Sequence, residues 1–577
     1  MSVTKPGVAA SATAMRPLMR ACVPALLAAV VSGAHAESPR TFGDARLTSI
    51  RAVTRQPSLV PLDRRKERIA PALQLRGGSG GISFAGASPF VLTCAAFAAL
   101  DALLLGYDIG VVSGILFFIA KEFGLDTHAK EVFASAVNSA AVVGALSSGV
   151  IADKFGRKPA LFISSLAFTS GSFAMAFANS YRNLLLGRYV QGFGIGAGLL
   201  ISPMFISEIA PPAFRGSLVT LSEVSLSVGI LLAYIANFAL SGLPNQWRWM
   251  LALGALPGIA LCLRILFLPE SPRFLVGRGK SDEAAAVLKR IVRRPLPKDS
   301  TSSEGAPSAA AGAQLKSERV EAATVLQEIR ETAKKESGGS WVQLLQPATL
   351  IAVGVGCVLA MLQHAVGIES IIYYSPHIFE TAGIASQRYA TLGTVGMGLI
   401  KLVFESYALL NVDRIGRRPL LLVGSVGVAV ALVVMGTALK FKILGGVAGA
   451  TGATVVVFLG IAMYMAFHAL SFGPITWLVL SEIFPSNIRG KAMGLATTIN
   501  RGTSFFVALT FLSLCERLQW SGVFYLYAAA AVFAIFFYAL FVPETSGLPL
   551  EVIAPQFGHP KALVRANLRS LGIVKDP

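Results

Sequence analysis

The sequence predicts an all-α membrane protein in which twelve transmembrane helices form two pseudo-symmetric six-helix bundles. Three observations carry that prediction. Only 14% of the 577 residues are charged and 54% are hydrophobic, whereas a soluble domain carries about 25% charged residues. Twelve apolar runs are each long enough to cross a hydrocarbon core, which takes about 20 helical residues for roughly 30 Å. Three short polar motifs also recur in the same order in the two halves of the chain, the mark of an internal duplication.

The apolar runs centre near residues 105, 141, 168, 195, 228, 258, 363, 399, 429, 468, 502 and 531. Six fall in an N-terminal bundle at 90–268 and six in a C-terminal bundle at 347–543, joined by a polar central loop at 269–346 and followed by a polar tail at 544–577. The loop opens with charge-rich helical sequence (Ser281 to Arg294). It continues through a Ser/Ala/Gly/Pro-rich segment at Pro297–Gln314 that reads as disordered, and closes with an amphipathic helix around Glu318–Lys335. Residues 1–36 resemble a secretory signal, with Lys5, Arg16 and Arg20 ahead of an apolar run and Ala34-His35-Ala36 as a small-residue cleavage site. Residues 37–89 are Arg-rich and transit-like or disordered, an arrangement that fits passage to a plastid envelope in an alga; a plain cytosolic tail, with the protein in the plasma membrane, is the alternative.

The net charge of +19 does not indicate nucleic acid, because the basic residues sit in short loops between spans. Lys154, Arg157 and Lys158 follow span two, Arg414, Arg417 and Arg418 follow span eight, and the central loop is basic too, which places all three on one side. The five cysteines are scattered and frame neither a disulfide scaffold nor a metal site. No GxxxxGK[ST] loop is present, so ATP hydrolysis on this chain is not expected to power transport. No enzymatic activity, cofactor or metal is expected; the expected partners are the lipid bilayer and a small molecule, with a monomer as the unit.

Asp108 lies within the first apolar run and Arg188 within the fourth. An ionisable group at that depth costs about 2.5–3.5 kcal/mol on insertion scales and marks an ion or substrate path by default. Two opposite charges on separate spans suggest a proton relay. Gly192-Phe193-Gly194-Ile195-Gly196-Ala197-Gly198 looks like a dinucleotide fingerprint, yet no strand precedes it; it reads as interleaved small-residue faces for close helix approach.

The internal echoes are specific. Asp153-Lys154-Phe155-Gly156-Arg157-Lys158 answers Asp413-Arg414-Ile415-Gly416-Arg417-Arg418. Ser207-Glu208 with Arg215-Gly216 answers Ser481-Glu482 with Arg489-Gly490, and Pro269-Glu270-Ser271 answers Pro543-Glu544-Thr545. Asp153, Arg157, Glu208, Arg215, Glu270, Asp413, Arg417, Glu482, Arg489 and Glu544 are read as a gating network at the basic end. Exposed ion pairs are worth about 0–1 kcal/mol each, so only a network that forms and breaks with the state biases an equilibrium.

Together with Pro272-Arg273, Gln363 through Ser375, Gly473-Pro474-Ile475-Thr476-Trp477 and Asn500-Arg501, these motifs resemble the sugar porters of the major facilitator superfamily over about Leu92 to Ile553. Glu223, Glu369 and Lys401 draw the resemblance toward the plant polyol/monosaccharide proton symporters. The resemblance implies alternating-access transport of a sugar or polyol with a proton; a passive facilitator and a non-transporting sugar sensor are the other readings. It also implies proton coupling at Asp108 and Arg188, and substrate binding by Glu223, Gln363, Glu369, Tyr373, Lys401, Trp477 and Asn500. Amides and carboxylates exchange several hydrogen bonds with hydroxyls, and an aromatic face covers C–H surfaces. A structural ion pair between Glu369 and Lys401 is the other reading of those two residues. His364 departs from the family's second Gln on span seven, and Asp101 and Glu405 are acids that its pattern does not contain.

Overall fold

The computed structural model describes residues 89–209, 215–292, 320, 322–331, 341–384, 386–444, 446–485, 488–548 and 550–574. The signal-like segment, all but the last residue of the Arg-rich segment behind it, and the Pro297–Gln314 stretch lie outside the described residues. Every regular element among the described residues is helical.

The N-terminal bundle consists of α1 (Pro89–Phe123), α2 (Thr127–Phe155), α3 (Arg157–Ala176), α4 (Tyr181–Ile209), α5 (Arg215–Leu240) and α6 (Gln246–Phe267). In the central loop, α7 (Pro272–Gly277) and α8 (Ser281–Val292) follow. The second of these has Asp282 and Glu283 in its first turn and Lys289 and Arg290 in its last, each charge matching the helix dipole.

In the C-terminal bundle, span seven is broken into α9 (Pro347–Ala365), α10 (Ile368–Tyr373) and α11 (Ser375–Ala382). Spans eight and nine are α12 (Gln387–Ile415) and α13 (Arg417–Leu444). Span ten breaks at Ser471 into α14 (Gly446–Leu470) and α15 (Phe472–Ile483). Broken helices at membrane depth occur where the freed backbone lines a cavity or is buried in protein, and these two breaks bring Gln363, Glu369 and Gly473 into one region.

The last two spans run together as α16 (Arg489–Phe541), of 53 residues. At 1.5 Å per residue such a rod would be about 80 Å long, far beyond a single bilayer. Gln519, with φ 61° and ψ 162°, breaks it. Among the described residues, eleven helices are long and apolar enough to cross, the last of them double, which gives the twelve crossings of an integral multi-pass membrane protein. A short helix, α17 (Pro560–Ser570), packs back on α16.

Within the first bundle α1 packs on α5, and α4 is held between α2 and α3. In the second, α13 packs against α14 and α16. The two bundles meet where α2 faces α16 and α5 faces α12. The glycines of α4 explain its close seating. A Cβ on Gly192 or Gly196 would fall 2.5 Å from the Val137 carbonyl oxygen or 2.0 Å from that of Ala141, both on α2. One on Gly194 would fall 2.6 Å from the Ser164 carbonyl oxygen on α3. Alternate glycines thus serve alternate neighbours, as small residues do where packing rather than the hydrophobic effect drives association in lipid.

Gly196→Ala is expected to lower the detergent melting temperature of the protein, because the methyl meets backbone; overpacking of this kind costs about 1–3 kcal/mol. Gly149→Ala, whose added methyl meets nothing nearer than Leu200 at 4.0 Å, should leave it unchanged. Equal melting temperatures for the two variants would contradict this account of the α2–α4 seam.

Candidate functional site

The chemistry of the interior starts with Asp108 on α1 and Arg188 on α4. Arg188 Nη1 lies 2.5 Å from Asp108 Oδ1, and the two side chains are 0% and 1% exposed. Gln191, one turn along, accepts from the same nitrogen at 2.8 Å and donates to Ser172 Oγ at 3.0 Å. The guanidinium carbon stands 5.4 Å from the centre of the Phe133 ring. The contact is single: Asp108 Oδ2 and Arg188 Nε and Nη2 are buried without a hydrogen-bond partner. An ion pair gripped by one oxygen keeps a free lone pair where a proton can add.

The second cluster is built on the break in span seven. Glu369, at the start of α10, accepts from Ser504 Oγ on α16 at 2.8 Å. His364, at the end of α9, places Nδ1 3.2 Å from Glu369 Oε1. Arg501 Nη2 points at His364 Nε2 from 2.9 Å. The same ring nitrogen lies 3.1 Å from Asn500 Oδ1. Asn500 donates to Gln363 Oε1 at 2.7 Å and to the Ala360 carbonyl at 3.0 Å, and Gln363 donates to the Gly473 carbonyl at 3.1 Å. His364 therefore joins Gln363, Glu369 and Asn500 in one network, a role its sequence position alone did not disclose. Glu369 Oε2 ends the network buried and without a partner, and the hydroxyls of Tyr234 on α5 and Thr476 on α15 are likewise buried without one. Tyr373 is buried on α10, four residues beyond Glu369, and Trp477 is half-buried on α15 against the core.

The reading of Glu369 and Lys401 as partners does not describe this structure. Lys401 Nζ on α12 pairs instead with Glu405 Oε2, one turn along, at 2.5 Å, and donates to Ser227 Oγ on α5 at 2.8 Å. Ser227 in turn donates to Glu405. The three buried groups cross between the bundles. Glu223, one turn from Ser227, stands within the electrostatic influence of Glu405 and Lys401. The unexpected acid on span eight is thus the counter-charge of the lysine. Asp101 lies apart, in a small cavity of the first bundle beside Ser164 and Gly198.

At the basic end the echoed motifs form two matching networks. Arg157 Nε lies 3.2 Å from Glu208 and its Nη1 3.3 Å from Asp153; Arg417 Nη2 lies 3.0 Å from Glu482 and its Nη1 2.9 Å from Asp413. Glu270 accepts from the backbone N–H groups of Arg157 and Lys158 at the start of α3, and Glu544 does the same for Arg417 and Arg418 at the start of α13. A carboxylate there satisfies orphan donors and the positive end of the helix dipole together. Gly156 and Gly416, with φ of 107° and 97°, make the approach possible, since a Cβ would meet the carboxylate at 2.3 and 2.7 Å. Arg489 Nε donates to the Phe484 carbonyl at 3.3 Å; the Arg215 side chain lies outside the described residues. The ion pairs of Arg157 and Arg417 are each internal to one bundle.

Removing either half of the Lys401–Glu405 pair is expected to destabilise the protein by about 3–5 kcal/mol, because a lone buried charge remains. Lys401→Met with Glu405→Leu should recover most of that loss. Thermal unfolding in detergent measures both; a double variant no better than the singles would contradict the pairing.

A profile of the family described as "Sugar (and other) transporter" matches residues 94–557. The chain is 34% identical to the probable polyol transporter 4 of Arabidopsis thaliana over 81% of this chain and 85% of that protein. It is 35% identical to the probable metabolite transport protein CsbC of Bacillus subtilis, over 79% and 92%. Among solved structures, the partially occluded inward-open xylose transporter XylE of E. coli superposes with a TM-score of 0.65 at 27% identity, covering 80% of this chain and all of that one. The proton:xylose symporter XylE bound to 6-bromo-6-deoxy-D-glucose gives 0.66 at 28% identity, over 81% and 99%. The chain belongs to the sugar transporter family, the sugar porters of the major facilitator superfamily, with the twelve-helix fold of that superfamily.

Proposed function

We propose that the protein carries a monosaccharide or polyol across its membrane together with a proton, by alternating access, without catalysing a reaction. The observation that carries this reading is the pairing of two features in one interior: a charge-balanced Asp108–Arg188 pair with a free carboxylate oxygen, and beside it a network that ends in unfilled hydrogen-bonding atoms. Buried polar atoms cost free energy unless a partner meets them. A ligand rich in hydroxyls supplies such partners to Glu369 Oε2, Tyr234 and Thr476, with Gln363 and Asn500 already oriented by their neighbours. Polyol carriage by the plant relatives and proton–xylose symport by the bacterial one point the same way. Glu223, Lys401, Tyr373 and Trp477 complete the proposed substrate surface.

Coupling follows from the same geometry. While Asp108 is ionised, its attraction to Arg188 holds α1 against α4 in a medium of low dielectric. A proton on Oδ2 removes that charge, leaves Arg188 with Gln191, and lets the spans repack around bound substrate. Glu369 lies close enough to Asp108 to act on it electrostatically, so occupancy of one cluster bears on the other. The proton thus changes the relative stability of two conformations, which is all a coupling ion needs to do.

Three outcomes are expected. Asp108→Asn should abolish uphill accumulation driven by a pH gradient in proteoliposomes, while downhill exchange of labelled substrate continues; accumulation with unchanged pH dependence would remove Asp108 from the coupling role. Glu369→Gln keeps the side chain's shape and its expression level but should raise the half-saturation concentration about tenfold, the loss expected for one hydrogen bond to a charged group. An unchanged value would make Glu369 purely structural. Residues 1–90 fused to a fluorescent reporter should mark the plastid envelope in an alga, whereas a purely cytosolic signal would reject a targeting role.

A further inference from the structure

Glu131 sits on α2, one turn into the helix at the end of the molecule opposite the basic loops, and is 0% exposed. Among the described residues it has no lysine or arginine at ion-pair distance. Both of its oxygens are nevertheless filled, and both by one residue of the other bundle. Oε1 accepts from the backbone N–H of Ser513 on α16 at 2.7 Å, and Oε2 from the Ser513 hydroxyl at 2.6 Å. A mid-helix N–H is ordinarily committed to the carbonyl four residues back; here it also serves an incoming side chain. One turn nearer the helix end, Thr127 donates to Glu516 at 2.7 Å. A third crossing at this end places the Arg388 guanidinium of α12 over the Phe238 ring of α5, at 5.4 Å.

The contrast with the basic end decides the reading. There the ion pairs of Arg157 and Arg417 stay within single bundles, whereas here polar contacts cross from one bundle to the other. Hydrogen bonds to a carboxylate are short and stronger than neutral ones, and the Glu131 side of this contact is buried. We propose that Glu131 is the latch of this end: its grip on Ser513 holds the two bundles together there, and it must release before the central site can open on that side. The proposal rests on the alternating-access reading but concerns a conformational equilibrium that exists without substrate or proton gradient.

The test follows that equilibrium directly. Fluorophores attached through unnatural amino acids at the exposed His128 and Arg517 would report the separation of α2 and α16 by single-molecule energy transfer, in nanodiscs without substrate. The short-distance population should dominate in the otherwise unaltered chain. Glu131→Ala, which removes both hydrogen bonds to the carboxylate, should raise the ratio of open to closed molecules about a hundredfold. Ser513→Ala, which spares the N–H, should raise it less. Glu131→Gln should restore part of the closed population, since its amide can accept from the N–H and donate to the serine hydroxyl. Where Glu131→Ala fails to fold, Ser513→Ala carries the test. An unchanged population ratio in a folded variant overturns the latch. Failure of sugar transport, with the shift present, would leave the latch standing and remove the proposed substrate instead.

Discussion

A bilayer offers a buried charge neither water nor counter-ions, and the interior of this protein is organised by that shortage. Asp108, Glu369, Glu405 and Glu131 each have a partner on a neighbouring helix, and the choice of partner separates structure from function. Glu405 has a permanent ammonium one turn away, with a serine of the other bundle to share it. Glu369 has an imidazole, a hydroxyl and a nearby guanidinium, leaving one oxygen unfilled. Glu131 has only a backbone N–H and a hydroxyl across the seam. Asp108 has a single-contact arginine. The less complete or the less charged the compensation, the more readily a proton, a ligand hydroxyl or a movement of helices can replace it.

The two broken spans are the mechanical counterpart of this electrostatic pattern. Continuous helices satisfy their own backbone and present only side chains to one another. The interruption at Gly367 frees carbonyls such as that of Gln363, which lies 3.3 Å from His468 Nε2, while the Gln363 amide is anchored on the Gly473 carbonyl at the start of α15. Side-chain amides tied in this way lose little freedom when a ligand arrives, and a site with its rotamers already fixed binds without that entropic cost. The matching networks around Arg157 and Arg417 play a different part. By capping α3 and α13 and tying them to the ends of their own bundles, they let each six-helix unit move as one body.

Much of this architecture was legible in the chain. Apolar runs of span length give the crossings whatever their packing, and the last two were separable because Glu516-Arg517 and Gln519 interrupt them. The pairing of Asp108 with Arg188 was legible because few opposite charges lie so deep on the first and fourth spans. Sequence reasoning went astray where the partner depends on three-dimensional register. Lys401 was weighed against Glu369 on span seven, while its partner lay four residues along its own helix, a spacing that the i, i+4 rule makes available. The acids open to Arg157 were several, and only the folded bundle selects Glu208. Glu131 gave no signal at all, because an acid in the second turn of a helix that begins in a polar loop reads as a solvated end, and its partner Ser513 lies far away in the chain.

The central claim is that substrate and proton cross together because protonation of the Asp108–Arg188 pair and filling of the Glu369 network favour the same rearrangement. The most direct measurement records both fluxes at once in proteoliposomes of the unaltered protein, with a substrate gradient imposed and no initial pH gradient. The account predicts that the external medium turns alkaline as a transported sugar or polyol enters, in fixed proportion to it. Substrate entry with no accompanying proton movement would contradict it and identify a facilitator.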